Sequence, residues 1–505
     1  MRTKKTFLNM IIGILTTLIS TFLAFFLNKV FLSALGLDYL GLNGIFSNAL
    51  GMLSLTELGI GMAISYELYV PLAQNDVKKI SALMDLYKKA YYIIATITFI
   101  VGMIVGIFVC ITAKTAEISI IERFIYFVLF LCNNCCTYLL SYKRTLLEAD
   151  QKSYVISIVT SIATIITTIM KIIVLHFWKS YILYILISII QTVGINIIVS
   201  LYIDKHYSYI KKSKEKLDRN SYKKIISEVK SRVLIKLCNV LVSSTDNIII
   251  GSIINVASAG LFQNYCLIVS QLNIFINQIG NAITPSLGNF AALESREKLK
   301  KIINELEFLN HCIGTFCFSC FCVLINPFIK LWLGNYLLSF VVPFLLMVDL
   351  YITLIRDVHW KVNNMTVGFA NNKRIYFHIM RAGINLIVSF LGAKIIGVGG
   401  VVLGTVTSSI VIWIAEAAYT YVIVLKMSIL TYIKRQFFYT IQMIGIFLLA
   451  YEMTSMISVE NIFLEFIGQG ICVVGITIIL LCVINIKNPC LHKLLNRMTV
   501  IVRRG

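Results

Sequence analysis

The chain is 505 residues long, 58% hydrophobic and only 14% charged, with a mean hydropathy of +0.85. Those values lie outside the range of soluble domains and describe a protein that crosses a membrane many times. Its 45 Lys and Arg outnumber 24 Asp and Glu, a formal net charge of +21. The basic residues are spread over many short segments, which fits anionic lipid contact and excludes a nucleic-acid surface.

Apolar runs near the roughly 20 residues needed to span a bilayer recur from end to end. About fourteen are predicted, at 7–32, 41–69, 91–112, 120–142, 155–175, 181–203, 233–254, 258–287, 306–327, 338–360, 379–396, 399–424, 437–456 and 462–485. The first follows Lys5 directly, and it is too long for the apolar core of a cleavable signal peptide. Basic residues fill alternate gaps: Arg2 to Lys5, Lys78 to Lys89, Lys143 to Lys152, Lys205 to Lys236, Arg296 to Lys301, Lys361 to Arg381, Lys426 to Arg435, and Lys487 to Arg504. The opposite gaps hold Lys114, Lys179 and a few residues at span ends. The positive-inside rule therefore predicts cytoplasmic termini.

Short blocks recur at nearly one offset. Thr145, Ala149 and Lys152 return as Thr366, Ala370 and Lys373, 221 residues on; Lys78-Lys79-Ile80 returns as Lys300-Lys301-Ile302 at 222, and Gly41-Leu42 as Gly260-Leu261 at 219. The offset carries span one onto span seven. That even displacement predicts two parallel six-helix bundles, 1–203 and 233–436, joined by a basic cytoplasmic linker at 204–232. Two further helices at 437–485 and a basic tail at 486–505 complete the expected organisation.

Chemistry of a soluble kind has nowhere to sit, because the external gaps are short and no phosphate loop, nucleophile elbow or metal signature occurs. The thirteen cysteines fall mostly within spans, and Cys132, Cys135 and Cys136, like Cys317, Cys320 and Cys322, have no His or carboxylate beside them. Neither an enzyme, a metal centre nor a cofactor is expected. Attention passes to polar residues inside spans, where an unpartnered charge is costly.

Lys29 sits in the outer part of span one, where it can snorkel or face a wet lumen. Glu57 lies mid-span before the pair Gly59 and Gly61, which predicts a broken helix. Asp246 begins Asp246-Asn247 in span seven, Asp349 and Arg356 share one face of span ten, and Glu416 lies in span twelve. Span eight carries Asn264, Gln271 and Gln278 at intervals of seven, an amide stripe suited to hydroxyl-rich ligands or to helix association.

Leu35 to Ala73, LGLDYLGLNGIFSNALGMLSLTELGIGMAISYELYVPLA, resembles the early signature of Wzx-type polysaccharide flippases, and KRTLLEADQKSYV at 143–155, TDNIIIG at 245–251, Ala259-Gly260-Leu261 and Asn264-Tyr265 are similar to further blocks of that family. The resemblance implies an all-α fold of two six-helix bundles around a V-shaped cavity in the bacterial cytoplasmic membrane. It also implies translocation of undecaprenyl-diphosphate-linked oligosaccharides for O-antigen, capsule or exopolysaccharide assembly, driven by a proton or sodium gradient. Polymerase and glycosyltransferases of the same pathway would be partners. Lys29 and Arg356 are then the expected phosphate-facing charges, Asn264, Gln271 and Gln278 the sugar-facing amides, and Glu57, Asp246 and Asp349 the coupling or gating groups. The rival readings are a multidrug or cation antiporter of the same superfamily and a membrane-embedded glycan polymerase or glycosyltransferase.

Overall fold

The computed structural model describes residues 2–53, 67–68, 71–72, 74, 76–115, 117–150, 152–208, 235, 237–293, 295–366 and 372–493; side chains of 2–16, 278–286, 288–293 and 372–373 are left aside. Among these residues every regular element is helical. In chain order the helices are α1 (Arg2–Leu35), α2 (Leu37–Leu53), α3 (Val77–Thr112), α4 (Ile120–Tyr138), α5 (Arg144–Ala149), α6 (Ser153–Phe177), α7 (Tyr181–His206), α8 (Leu237–Ile254), α9 (Val256–Leu293), α10 (Arg296–Leu333), α11 (Val341–Thr366), α12 (Asn372–Ile396), α13 (Val398–Ala418), α14 (Leu430–Ser455) and α15 (Ile462–Ile484). A π-helical turn, Tyr419–Val424, extends α13.

Twelve helices among the described residues are long and apolar enough to span a bilayer, which makes this a multi-pass membrane protein. Helix α11, 26 residues long, is not one of those twelve and carries Asp349, Arg356 and Asp357. The expected count of about fourteen is close to this. Large apolar side chains face outward, Ile395 at 81% exposure and Phe22 at 73%, while Glu307, Asn385 and Glu416 are fully buried. This inversion of a soluble protein is what a hydrocarbon solvent requires.

Helix ends are set locally. Asp76 accepts from the Lys79 amide at 3.0 Å to start α3, and Ser119 with Glu122 forms a capping box on α4. Gly36, Gly334 and Gly397 adopt positive φ at turns after helices, a conformation that costs glycine nothing.

The chain divides into two compact units, Met1–Gln263 and Asn264–Gly505. The division falls later than the 232/233 boundary read from the repeat, because α8 and the start of α9 pack on the first unit. A Cβ on Gly41 would lie 2.0 Å from the Val256 carbonyl oxygen, one on Gly260 would lie 2.5 Å from that of Leu37, and Lys114 Nζ donates to the Ile253 carbonyl at 2.7 Å. Within that unit α1 packs on α6, α6 on α7, and α3 on α4. Gly102 and Gly106, four residues apart on α3, admit Leu131 and Phe127 of α4.

In the second unit α12 and α13 pack most intimately, with backbone against backbone. A Cβ on Gly400 would fall 2.0 Å from the Gly392 oxygen, and one on Gly404 would fall 2.1 Å from Ser389 Oγ. Small residues at such a crossing let dispersion and polar contacts hold helices where lipid offers no hydrophobic drive. Helix α11 lies against α13, and α10 contacts α11, α14 and α15.

Candidate functional site

The densest embedded polar structure in the described residues runs along α11, α12 and α13 of the second unit. Asp349, Arg356 and Asn363 recur every seven residues on α11; Arg374, His378, Arg381, Asn385 and Ser389 follow at steps of four, three, four and four on α12. Both spacings keep side chains on one helical face. Thr405, Ser409, Glu416 and Thr420 complete the column from α13 and its π-turn.

At one end Arg374 Nη2 donates to Glu416 Oε1 at 3.0 Å and to Oε2 at 3.2 Å, and its Nη1 donates to Asn364 Oδ1 at 2.7 Å. Asn363 Nδ2 donates to Glu416 Oε2 at 2.6 Å, and the Thr420 hydroxyl donates to Asn363 Oδ1 at 3.0 Å. His378 Nε2 stands 3.7 Å from Glu416 Oε1, while the Trp360 ring lies under the Arg374 guanidinium at 5.1 Å. Further along, Arg356 has Glu416, Asp349 and Asp357 as oppositely charged neighbours, and Asp349 lies among Ser409, Arg381 and Arg356. Arg381 donates to Ser409 Oγ at 3.3 Å, Asn385 to Thr405 Oγ1 at 3.1 Å, and Ser389 to the Val401 carbonyl at 2.9 Å.

Charges in this column therefore alternate: Arg374, Glu416, Arg356, Asp349, Arg381. Asp357, next to Arg356 and paired with Lys361 at 2.5 Å, sets a third carboxylate beside these three cations. Arg374 and Glu416 are 1% and 0% exposed, but Arg356 and Asp349 are only half-buried. Asp349 Oδ1 and Arg356 Nε have no protein hydrogen-bond partner. The Glu416 end is sealed, whereas the middle keeps some exposure although Asp349 Oδ1 and Arg356 Nε themselves are enclosed.

Two more polar knots lie beside it. Glu307 of α10 pairs with Arg435 of α14 and accepts from the Tyr421 hydroxyl at 3.3 Å, with His359 Nε2 at 3.5 Å. His311 stacks on Tyr439, centroids 4.2 Å apart and planes at 6°; its Nδ1 lies 2.8 Å from the Tyr351 hydroxyl and its Nε2 3.2 Å from Gln442 Oε1. An amide oxygen can only accept, so Nε2 donates and Nδ1 receives the Tyr351 proton.

The residues singled out from sequence fare unevenly. Asp349 and Arg356 do come together, and Glu416 joins them. Lys29 is exposed on α1, and Gln271 is half-buried. Asn264 is fully buried with neither amide atom hydrogen-bonded, so the stripe it begins is not uniformly open at that end. Asp246 is half-buried beside Asn247, whose amide donates to Gln263 at 2.9 Å. Glu57 and the side chain of Gln278 lie outside the described residues.

Arg374, Arg381 and Arg435 belong to basic gaps in the sequence, yet all three reach embedded partners. The regular spacing from Arg374 to Ser389 was the available signal. Lys171, alone in an apolar run, is 8% exposed on α6 and sits 4.8 Å over the Tyr184 ring, with no carboxylate at ion-pairing distance among the described residues.

The first unit holds the counterpart of the Glu416 lock. Asn196, which the repeat offset of 220 carries onto Glu416, accepts from Arg144 Nη2 at 2.9 Å and donates to the carbonyls of Cys136 and Leu139, both at 2.8 Å. In each unit, a polar residue on the sixth helix of the repeat pins the end of the fourth.

No protein-family profile matches the chain, and a search of curated proteins finds no match. Solved structures do resemble it. A lipid II flippase, MurJ, in an inward closed conformation superposes with a TM-score of 0.68 at 14% identity, covering 95% of this chain and 99% of that one. An inward-facing multidrug resistance transporter of the MATE family, MOP superfamily, gives 0.60 at 14% identity over 79% and 93%. A MATE transporter of Vibrio cholerae gives 0.51 at 14% over 83% and 98%. The fold is that of these transporters.

Proposed function

We propose that the chain is a flippase that carries undecaprenyl-diphosphate-linked oligosaccharide units across the bacterial cytoplasmic membrane, toward the outer leaflet, by ion-coupled alternating access. The observation that carries this reading is the reach of the likeness. The lipid II flippase leaves only 5% of this chain uncovered, about 25 of 505 residues, fewer than the 26 and 23 residues of α14 and α15 together. The superposition therefore takes in part of that terminal pair, whereas the MATE structure covers 79% of this chain.

The polar column supports the same reading. Arg356, half-buried and planar, is the side chain suited to a diphosphate. In this reading Lys29 is a phosphate-facing charge, and Gln271 and Gln278 offer amides to sugar hydroxyls. On the same reading Asp349, Glu57 and Asp246 are the coupling or gating groups. Both termini would then be cytoplasmic, and the glycan would go on to the enzymes of polysaccharide assembly.

Cells carrying Arg356→Ala or Lys29→Ala, compared with wild type at equal protein level, test these roles. The account expects surface polysaccharide to fall about tenfold, as for one lost charged contact. Unchanged polysaccharide in both, or new resistance to cationic dyes conferred by the wild type, would favour the antiporter.

A further inference from the structure

A cavity of about 240 Å³ opens where α10, α14 and α15 end away from Arg296. Pro327 lies inside α10, and a proline has no N–H to return to the carbonyl four residues earlier. That carbonyl belongs to Val323, which lines the cavity together with Pro327. A backbone acceptor is thus left without its helical donor in the wall.

The side chains around it divide their hydrogen-bonding capacity in a definite way. Gln469 spends its Nε2 on Glu465 Oε1 at 3.1 Å and on the Ile457 carbonyl at 3.4 Å, which leaves Oε1 as an acceptor. Thr454 and Ser455 donate their hydroxyl protons to the Ala450 and Glu452 carbonyls, both at 2.7 Å, and keep oxygen lone pairs. Asn326 receives the Tyr265 hydroxyl on Oδ1 at 3.4 Å, so its amide hydrogens remain to be given. Phe340 and Tyr451, centroids 6.2 Å apart and tilted by 45°, supply an apolar side.

No lining side chain carries a charge. An ammonium or metal ion would have no compensating carboxylate in the wall and no use for the Asn326 donor, and an anion would meet mostly acceptors. Hydroxyls that both donate and accept, on a ring with an apolar face, match the wall. We propose that this cavity binds a neutral sugar ring. The site goes beyond the transport reading, because it would hold sugar whether or not the chain moves one. The ring could belong to a glycan delivered on a lipid carrier or to the headgroup of a neutral glycolipid in the bilayer.

The test uses the full chain in detergent-free nanodiscs of phosphatidylglycerol and phosphatidylethanolamine. Saturation-transfer NMR is recorded with the methyl β-glycosides of glucose, galactose and N-acetylglucosamine. The proposal expects transfer to the ring protons of at least one glycoside, with binding about tenfold weaker in Gln469→Leu and in Pro327→Ala, which restores an N–H to Val323. Size-exclusion profiles show whether each variant folds, and Thr454→Val serves if either does not. Displacement of the glycoside by monogalactosyl diacylglycerol in the disc would assign the site to glycolipid headgroups, and retention of the signal would assign it to carrier-borne glycan. Absence of transfer from all three glycosides, or equal transfer in folded variants and wild type, would overturn the proposal.

Discussion

Arg374 and Glu416 are joined by two contacts of 3.0 and 3.2 Å while 1% and 0% exposed, a fully enclosed ion pair within a membrane bundle. Such a pair gains little over an apolar substitute of equal shape, but breaking it leaves a buried charge without its partner. Arg374→Met or Glu416→Gln alone is expected to destabilise the second unit by about 3–5 kcal/mol, and the double variant by clearly less than the sum. Unfolding of the four proteins in one detergent, read as a double-mutant cycle, checks this. Additive losses would mean that the contact is incidental.

The Gly392 and Gly400 crossing gives a steric prediction. Gly400→Ala places a Cβ 2.0 Å from a backbone oxygen and should cost about 1–3 kcal/mol or more, with loss of monodisperse protein. Gly445→Ala, where nothing lies within 4 Å, should be tolerated. Thermal stability of the two purified variants distinguishes the cases.

Outside the spans, Tyr207 donates to Asp150 at 2.5 Å and receives Lys152 at 2.9 Å. Burial and the bond to Asp150 push the Tyr207 hydroxyl up to about 12 from an ordinary value of 10.0. Burial alone would lower Lys152, but its bonds to Asp150 and Tyr207 raise it overall. A group whose proton is held more tightly when folded stabilises the fold below its unfolded value and loses that contribution as pH rises through the folded one. Wild-type stability should therefore fall between pH 10 and 12 more steeply than that of Tyr207→Phe, as measured by denaturation across that range.

Much of the architecture was legible in the sequence, because hydropathy and alternating charge report directly on a lipid solvent. The column was legible only in part. Asp349, Arg356 and Glu416 stood out as ions within apolar runs, but Arg374 and Arg381 lie in the same basic stretch as Lys361 and so read as topology. Helix α12 begins at Asn372, so these arginines turn inward to a carboxylate 42 residues away in the case of Arg374. No local pattern announces such a partner. Lys171 escaped for the opposite reason, since its partner is the ring of Tyr184 and not a charge.

The His311 network predicts a loss confined to stability. Tyr351→Phe removes the proton given to Nδ1 at 2.8 Å and should cost about 1 kcal/mol, with transport preserved, because both side chains are enclosed by α10, α11 and α14. Paired unfolding and polysaccharide measurements on this variant check both halves.

The most direct measurement is reconstitution of the purified chain into vesicles carrying a fluorescent polyprenyl-diphosphate glycan in one leaflet, with transfer followed by quenching from the other side. The account predicts transfer that depends on an imposed proton or sodium gradient and falls about tenfold in Arg356→Ala. Vesicles that export cationic dyes but leave the labelled lipid in its original leaflet would contradict it.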